Sequence, residues 1–379
     1  MRELQLLRRG RLAWRETEPA ELQGPAEAIV RPFVASRCDG DVLPIHRPVS
    51  RALQAGIASG LIDPVVACIC GKVPFKGPFG IGHECVAEVV EVGDDVTSVE
   101  VGQVVVVPWA VSCGTCPECR RGLTSKCSTA TEGTLAAYGF GPASGPWGGM
   151  VTDRLRVPFA DHMLVPVPAG VSPLRVAAAS DNLADAWRSV VTPLQQHPDA
   201  AVLILGGGAR SIGLYAAGLA VAHGASGVDY LDDDPERLRI AAAFGARAID
   251  APTGGRGGRR SRTARLYDIV VEASSTAVGL RRALRALAPG GTCTAVGYYL
   301  ATGTRLPVMR MYATSATLQV GVSHARAVLP DLLDFVARTG FPAEDVTTLT
   351  ADWNDAPAAY ASRTTKLVIQ RDPLSFPAS

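Results

Sequence analysis

Residues 202–213 carry the most informative pattern in this sequence, Val202-Leu-Ile-Leu-Gly206-Gly-Gly208-Ala-Arg210-Ser-Ile-Gly213. The apolar run predicts a buried strand, and the glycines after it predict a tight turn into a helix. Backbone N–H groups at such a turn, together with the positive end of the helix dipole, can bind a pyrophosphate. The candidate cofactor-binding residues are therefore Gly206, Gly208, Arg210, Ser211, Ile212 and Gly213.

The turn departs from the usual G-x-G-x-x-G pattern, because Arg210 takes the place of the middle glycine. That side chain either points away from the cofactor or itself contacts a phosphate. Asp232 comes directly after the next predicted strand, roughly 20 residues further on, where a carboxylate can accept hydrogen bonds from the ribose hydroxyls of NAD. Asp233 and Asp234 follow and would repel the 2′-phosphate of NADP. The sequence therefore favours NAD.

Strands and helices alternate around this turn. The predicted strands are Val202–Leu205, Gly227–Leu231, Asp268–Glu272 and Thr292–Val296. The predicted helices are Ser211–His223, Pro235–Phe244 and Val278–Leu287. This alternation predicts a parallel sheet covered by helices on both faces. The arginine-rich segment Ala251–Arg265 is interpreted as a solvated connector.

The chain before the turn shows a different pattern, with short strand-like runs bounded by Gly, Asp and Pro. These runs are Ala87–Val92, Gln103–Val107 and Arg154–Val157. The last part of the chain contains a predicted helix, Val328–Arg338, and an apolar strand, Lys366–Gln370. We predict an α/β protein with a mostly β unit over residues 1–170, completed by residues 325–379, and a nucleotide-binding unit over residues 171–324.

Composition excludes several classes of protein. The 379 residues include 37 Lys and Arg against 36 Asp and Glu, so the formal net charge is +1. A neutral balance supplies no basic surface for nucleic acid or for an anionic membrane. Neither a transmembrane stretch nor an export signal is recognised, so we expect a cytoplasmic protein that acts on a small molecule.

Four of the nine cysteines form a Cys113-x2-Cys116-x2-Cys119-x7-Cys127 cluster. Four thiolates joined by tight turns match the closed tetrahedral shell of a structural zinc. Two alternatives remain, namely cysteines that are buried or disulfide-paired, and a zinc-ribbon adapter for nucleic acid. The neutral charge and the large α/β part argue against the adapter. The cysteines outside these metal sites, Cys68, Cys70, Cys85 and Cys293, are predicted to pack as buried small hydrophobes.

A second candidate metal site is spread along the chain. It combines Cys38, the motif Gly82-His83-Glu84, and Asp181. Two anionic ligands and one neutral imidazole around zinc leave one coordination position open, which catalysis by a metal requires.

The order of these features resembles the zinc-dependent medium-chain alcohol dehydrogenase family over nearly the whole chain. The segments Gly148-Gly149, Val157–Asp161 and Ser180–Asp185 resemble the branch that includes formaldehyde dehydrogenases and dismutases. The resemblance implies a GroES-like catalytic domain interrupted by a Rossmann domain, NAD, two zinc ions per subunit, and a homodimer or homotetramer. It also implies roles for single residues: Cys38, His83 and Asp181 as catalytic zinc ligands, Glu84 beside the metal, Trp109 as a pocket wall, and Arg237 at the adenosine ribose.

Besides Arg210, three features depart from the family pattern: two residues and the length of one connection. Gly40 stands where a hydroxyl residue usually passes the substrate proton, and Leu43 stands where a relay histidine is common. The connection from Cys38 to His83 is longer than usual because of the segment His46–Cys70, which contains a predicted helix, Val49–Leu61, and which we expect over or beside the active site. His46 or Asp39 is then an alternative proton relay, with a solvated loop histidine as the competing interpretation.

The sequence thus predicts hydride transfer between a zinc-bound alcohol, aldehyde or ketone and NAD. Two alternatives stay open at this stage. One is a dismutase or another redox-neutral enzyme that keeps its NAD bound. The other is a catalytically silent relative that binds a nucleotide or a protein partner.

Overall fold

A computed structural model describes residues 1–47, 49–71, 73–131, 135–253 and 265–374. The chain divides into two compact units, the first made of Met1–Ala184 and His324–Ser379 and the second of Asp185–Ser323. The first boundary lies later in the chain than the predicted residue 170. Among the described residues, we find no helix with the length and apolar character needed to cross a membrane.

The amino-terminal part of the first unit is mostly β structure. Its strands are β1 (Arg2–Arg8), β2 (Arg11–Glu16), β3 (Ala28–Ser36), β4 (Phe79–Gly80), β5 (Glu84–Val92), β6 (Val104–Val107), β7 (Leu155–Val157) and β8 (Val165–Pro166). Its helices are short: α1 (Val42–His46), α2 (Val49–Ala58), α3 (Val65–Cys70), α4 (Pro117–Arg120) and α5 (Ala160–Met163).

Strands and helices alternate in the second unit. The helices are α6 (Asn182–Gln196), which begins in the first unit, α7 (Arg210–Ala222), α8 (Pro235–Ala243), α9 (Ala277–Ala286) and α10 (Val308–Thr314). The strands are β9 (Ala201–Leu205), β10 (Gly227–Asp232), β11 (Arg247–Asp250), β12 (Tyr267–Glu272), β13 (Leu287–Ala295) and β14 (Thr317–Val320).

These strands form one parallel sheet with the order β11-β10-β9-β12-β13-β14. The order reverses between β9 and β12, and ligands of such sheets bind at the carboxyl ends of the strands at this point. Every residue of β9 is buried, as its unbroken apolar sequence requires of a central parallel strand. The predicted Rossmann unit is therefore confirmed.

The carboxyl-terminal segment returns to the first unit. It contains α11 (Ala325–Thr339), β15 (Leu349–Asp352), α12 (Ala356–Ala361) and β16 (Leu367–Gln370). The larger sheet of this unit has the order β15-β16-β3-β5-β6-β8, and β7 pairs with β3. Because β16 lies antiparallel to β3, the end of the chain forms part of the same sheet as residues near its beginning.

The predicted strands and helices are present, with ends that differ by a few residues. The sequence reading missed β11 and β14, which lie at the two edges of the parallel sheet and are mostly exposed. It also missed α6, α12 and the β1–β2 hairpin. Of the predicted connector Ala251–Arg265, residues 254–264 lie outside the described part of the chain.

Candidate metal and cofactor sites

The three residues predicted to bind the catalytic metal meet in the first unit. Cys38 follows β3, His83 precedes β5, and Asp181 precedes α6. The last residue of β3, Ser36, is paired with the first residue of β5, Glu84, so the end of β3 lies beside the start of β5. One donor atom from each of the three residues lies within 4.8 Å of the other two.

The chemistry of this cluster matches a catalytic zinc site. Asp181 Oδ2 lies 3.1 Å from Cys38 Sγ and 3.5 Å from His83 Nε2. The His83 side chain is only 1% exposed, whereas that of Asp181 is 15% exposed. A thiolate, an imidazole and a carboxylate are ligands that zinc accepts, and three protein ligands leave a fourth position for substrate.

The charges around the cluster also fit a divalent cation. Burial and the Asp181 carboxylate raise the pKa of the Cys38 thiol well above its usual range. Burial alone would lower the pKa of His83, but the carboxylates of Asp41 and Asp181 outweigh it and raise that pKa to about 9. Both ring nitrogens of His83 are buried without a hydrogen-bond partner among the described residues. Such a group is costly to bury unless a ligand compensates it, and a metal ion at Nε2 would do so.

Asp41 is a residue of this site that the sequence reading did not assign. Its Oδ1 lies 3.4 Å from Nδ1 of His83, the ring nitrogen that does not face Asp181. A carboxylate at the second nitrogen of a metal-binding histidine fixes its tautomer and ring orientation. The signal available in the sequence was the short motif Cys38-Asp-Gly-Asp41, which forms a 3-10 turn over Asp39–Asp41.

Glu84 lies behind the cluster and is fully buried. It accepts hydrogen bonds from Lys366 Nζ at 2.5 Å, from Ser36 Oγ at 2.5 Å and from the backbone amide of Asn182 at 2.8 Å. Burial raises the pKa of Glu84, and the ammonium group of Lys366 opposes that rise. Lys366 and Asn182 were both missed by the sequence reading. Its assignment of Glu84 to a place beside the metal stays a prediction.

Two aromatic rings flank His83. The predicted wall residue, Trp109, is 3% exposed, and its ring centroid lies 6.4 Å from that of His83. Phe140, which the sequence reading missed, lies closer, at 4.7 Å, and it also contacts Trp109 at 5.6 Å. The two rings supply an apolar surface beside the imidazole.

Gly40, which has no proton-relay side chain, and His46, a candidate relay, both contact other parts of the first unit. The backbone amide of Gly40 donates to Cys38 Sγ at 3.2 Å, so this glycine still contacts a residue of the candidate metal site. Nε2 of His46 lies 3.2 Å from the carbonyl oxygen of Ser362. The relay role predicted for His46 or Asp39 stays a prediction.

The segment His46–Cys70 forms α2 and α3, together with the end of α1. Ser144 Oγ donates to the carbonyl oxygen of Ile69 at 3.2 Å, so α3 contacts the chain shortly after Phe140. One prediction for this segment was wrong. Cys68 is exposed and Cys70 is only half-buried, because α3 is a short helix on the surface, whereas Cys85 and Cys293 are buried as predicted.

The four-cysteine cluster forms as the sequence predicts. The sulfur atoms of Cys113, Cys116, Cys119 and Cys127 lie within 4.8 Å of one another, and all four residues are buried. None of these cysteines is in a disulfide. Backbone amides donate to the sulfurs, for example from Cys116 to Cys113 at 3.3 Å and from Cys113 to Cys127 at 3.3 Å.

Hydrogen bonds lower the pKa of Cys113 and Cys116, whereas burial raises the pKa of Cys119 to about 12 and also raises that of Cys127. Burial would raise the pKa of Cys113, but hydrogen bonds, above all that from Thr115, outweigh it and lower the pKa to about 5. The cluster therefore has the donor set of a closed zinc site.

The predicted cofactor turn joins β9 to α7 in the second unit. Gly207 has a φ of 126°, which residues with side chains rarely adopt. A Cβ atom at Gly206 would lie 2.3 Å from Asp232 Oδ2, and one at Gly208 would lie 2.6 Å from Ser275 Oγ. Close packing therefore requires glycine here. The other predicted residues lie in the first turn of α7: Arg210, Ser211, Ile212 and Gly213.

Asp232 ends β10 and is fully buried beside this turn. The predicted ribose residues Asp232 and Arg237 are bound to each other: Arg237 donates through Nε to Oδ2 at 2.8 Å and through Nη2 to Oδ1 at 2.6 Å. The hydroxyl of Tyr230 also donates to Oδ2, at 2.8 Å. The carboxylate thus already accepts hydrogen bonds from the protein, and the ribose roles of both residues stay predictions.

Two family models match this chain. The first describes an alcohol dehydrogenase GroES-like domain and matches residues 24–169, which include Cys38, His83 and the four-cysteine cluster. The second describes a zinc-binding dehydrogenase and matches residues 211–338, beginning within the cofactor turn. Asp181 lies between the two matched regions.

Individual relatives extend this similarity. A zinc-binding alcohol dehydrogenase of Mycobacterium tuberculosis is 31% identical over 307 residues, which cover 77% of this chain and 73% of the relative. A formaldehyde dismutase of Pseudomonas putida is 32% identical over 205 residues, or 50% of each chain. The solved structure of an alcohol dehydrogenase from Thermus sp. ATN1 has a TM-score of 0.81 at 28% identity, covering 98% of this chain and 99% of the other.

Proposed function

Because this chain belongs to the zinc-dependent medium-chain alcohol dehydrogenase family, we propose that it is an NAD-dependent alcohol dehydrogenase. In this reaction an alcohol releases a proton to solvent and transfers a hydride to oxidised NAD, which yields NADH and an aldehyde or ketone. The observation that carries the proposal is the convergence of Cys38, His83 and Asp181 from three separate parts of the chain.

Some residues at this site would bind the metal, and others orient its ligands. Cys38, His83 and Asp181 would hold a zinc ion, which would supply a Lewis acid for the hydroxyl group of the substrate. Asp41 contacts Nδ1 of His83 and so leaves Nε2 available as the metal-binding nitrogen. Trp109 and Phe140 place apolar surface next to this histidine, which favours the exclusion of water from the reacting group.

A direct test measures zinc content together with turnover. The wild-type protein is expected to contain two zinc ions per subunit and to form NADH with members of a panel of primary, secondary and aromatic alcohols. The Cys38→Ala variant is expected to lose one zinc and its turnover. Full turnover by Cys38→Ala, or a wild-type protein that binds no zinc, would contradict the mechanism.

The preference for NAD is the finer part of the proposal. Its support is the buried Asp232 beside the cofactor turn, with Asp233 and Asp234 after it. A 2′-phosphate brought to these carboxylates would meet like charge, which disfavours binding. In Asp232→Gly we expect weaker NAD binding and a smaller preference over NADP. An unchanged ratio of kcat/KM for the two cofactors would remove Asp232 as the determinant.

A dismutase that retains its cofactor is a second candidate. Two observations favour it, namely the similarity to a formaldehyde dismutase and the absence of a hydroxyl group at Gly40. A dismutase passes hydride from one aldehyde molecule to another through the same bound NAD. NAD that stays with the protein through gel filtration, with aldehyde consumed but no net NADH formed, would favour this candidate over the first.

We further propose a homo-oligomer, dimeric or tetrameric, in the cytoplasm. None of the nine cysteines is in a disulfide, which fits a reducing compartment. Sedimentation equilibrium of the purified protein measures the number of subunits, and a monomer at micromolar concentration would contradict the first part of this proposal.

A further inference from the structure

Asn182 contacts both anionic residues of the proposed catalytic metal site. It is the first residue of α6 and is fully buried. Its side-chain Nδ2 lies 3.1 Å from Cys38 Sγ and 3.1 Å from Asp181 Oδ2. One amide group therefore donates to the thiolate and to the carboxylate at the same time.

Lys366 determines which end of this amide faces the ligands. Its ammonium group is fully buried and lies 2.9 Å from Asn182 Oδ1. An ammonium group can only donate, so the atom that it contacts must be the amide oxygen. The NH2 end is then directed at Cys38 and Asp181. This chemical argument fixes the orientation, which the shape of an asparagine side chain alone does not.

Backbone contacts hold Asn182 in place as well. Its main-chain amide donates to Glu84 Oε1 at 2.8 Å, and Glu84 Oε2 accepts from Lys366 Nζ at 2.5 Å. Lys366 donates in addition to the carbonyl oxygen of Arg37, next to Cys38, at 3.2 Å. Asn182, Glu84 and Lys366 thus form a closed hydrogen-bond ring immediately behind the ligands.

We propose that Asn182 is a positioning residue that tunes the metal through its two anionic ligands. An N–H donor withdraws electron density from the thiolate and from the carboxylate, so each transfers less charge to the ion. The ion then remains a stronger Lewis acid toward the substrate hydroxyl. The same two hydrogen bonds hold the sulfur of Cys38 and the carboxylate of Asp181 in place, which favours metal binding. This inference rests on the proposed function, because it assumes a metal at Cys38, His83 and Asp181.

Cobalt substitution tests the inference by spectroscopy. In the protein loaded with Co²⁺, the difference between the spectra of wild type and Cys38→Ala isolates the thiolate-to-cobalt band of this cluster. A hydrogen bond to the thiolate raises the energy of that band, so Asn182→Ala is expected to shift it to longer wavelength. Competition with a chelator is expected to show zinc affinity lowered by ~10-fold, as for other partners of metal ligands.

The sequence offers a matched control, because Asn182 and Asn354 are its only two asparagines. The side chain of Asn354 donates to Asp352 Oδ1 at 3.0 Å in an exposed position. Asn354→Ala is expected to leave both the cobalt band and the zinc affinity unchanged.

A measurement on the wild-type protein covers the case in which Asn182→Ala fails to fold. Protein labelled with ¹⁵N in asparagine only gives two side-chain amide signals, and Asn354→Ala assigns them. When the protein is loaded with ¹¹³Cd, the Asn182 amide is expected to show scalar coupling to the metal across the N–H···S hydrogen bond. The Asn354 amide is expected to show none.

The outcomes separate the two proposals. If Asn182→Ala changes neither the wavelength of the Cys38-dependent cobalt band nor the zinc affinity, the proposed role of Asn182 is wrong, but the metal site is not contradicted. Absence of ¹¹³Cd coupling to a metal that Cys38 does bind has the same meaning. If wild type and Cys38→Ala give identical cobalt spectra, the metal site itself is wrong and both proposals fail.

Discussion

The two candidate metal sites of the first unit are built in opposite ways. The four-cysteine cluster comes from one continuous segment, residues 113–127, and its sulfurs accept hydrogen bonds from backbone amides of the same segment. The three-residue cluster combines Cys38, His83 and Asp181. A site that surrounds its metal completely can be formed by local turns. A site that keeps one coordination position open has fewer protein ligands. These come from distant parts of the chain, and other side chains must hold them in place.

The largest expected effect is on turnover at the three-residue cluster. His83→Ala removes the neutral ligand, and the loss of several kcal/mol of Lewis-acid stabilisation corresponds to a fall in kcat/KM of ~10³-fold or more. Steady-state kinetics with the best substrate of the alcohol panel measures it. His197→Ala, which changes an exposed histidine, is the control, and a similar loss in both variants would contradict the assignment.

For the four-cysteine cluster, stability is expected to change instead. Cys116→Ser removes one thiolate from a closed shell, and loss of a structural metal is among the few changes that cost ~4 kcal/mol or more in the free energy of unfolding. Urea unfolding followed by circular dichroism measures the loss. Turnover per folded molecule should remain close to that of wild type. Normal stability combined with lost turnover would reverse the roles of the two clusters.

A smaller effect is expected at Asp41, which supports only the three-residue cluster. Asp41→Asn keeps the shape of the side chain but removes its charge beside Nδ1 of His83. We expect zinc affinity at this cluster to fall by ~10-fold to 100-fold, as for other carboxylates behind metal-binding histidines. Chelator competition measures the affinity, with exposed Asp94→Asn as control. Equal affinities in these two variants would show that Asp41 does not orient His83.

The smallest expected effect concerns Thr115 in the four-cysteine cluster. Thr115→Val removes a hydroxyl donor to the Cys113 thiolate, which is worth ~1 kcal/mol or about 5-fold in metal affinity. Without that donor the pKa of Cys113 rises from about 5, so protons displace the metal more readily. Zinc release, followed with a coloured indicator as the pH falls, is expected to begin at a higher pH than in wild type. An unchanged release profile would mean that the Thr115 hydroxyl does not stabilise the Cys113 thiolate.

The four-cysteine cluster is also easier to predict from the sequence than the contacts around the three-residue cluster. The four cysteines are close together in the chain, and their spacing alone predicts the cluster that the structure shows. The strands around the cofactor turn could also be predicted, because buried parallel strands have continuous apolar sequences. The edge strands β11 and β14 were missed because most of their side chains are exposed, so no apolar run indicates them.

The supports of the three-residue cluster could not be predicted in the same way. Lys366 contacts Glu84 and Asn182 because β16 pairs with β3. No local sequence pattern indicates which strand β16 pairs with. Phe140 lies beside His83 for a similar reason, since tertiary structure alone joins them. The ligands of the three-residue cluster could be recognised in the sequence because each belongs to a motif of the family. The partners of the ligands have no motif of their own.

The position of Lys366 also has a consequence for the order in which the protein matures during synthesis. On the ribosome, Cys38, His83 and Asp181 emerge long before Lys366, which immediately precedes β16. Until then Glu84 lacks its ammonium partner and Asn182 lacks the contact that orients its amide. The second unit is continuous in sequence and can complete its sheet first, since domains generally fold as they emerge. The hydrogen bonds that orient Asn182 therefore form only after the second unit has been made, so the final arrangement of the three-residue cluster is a late step of folding.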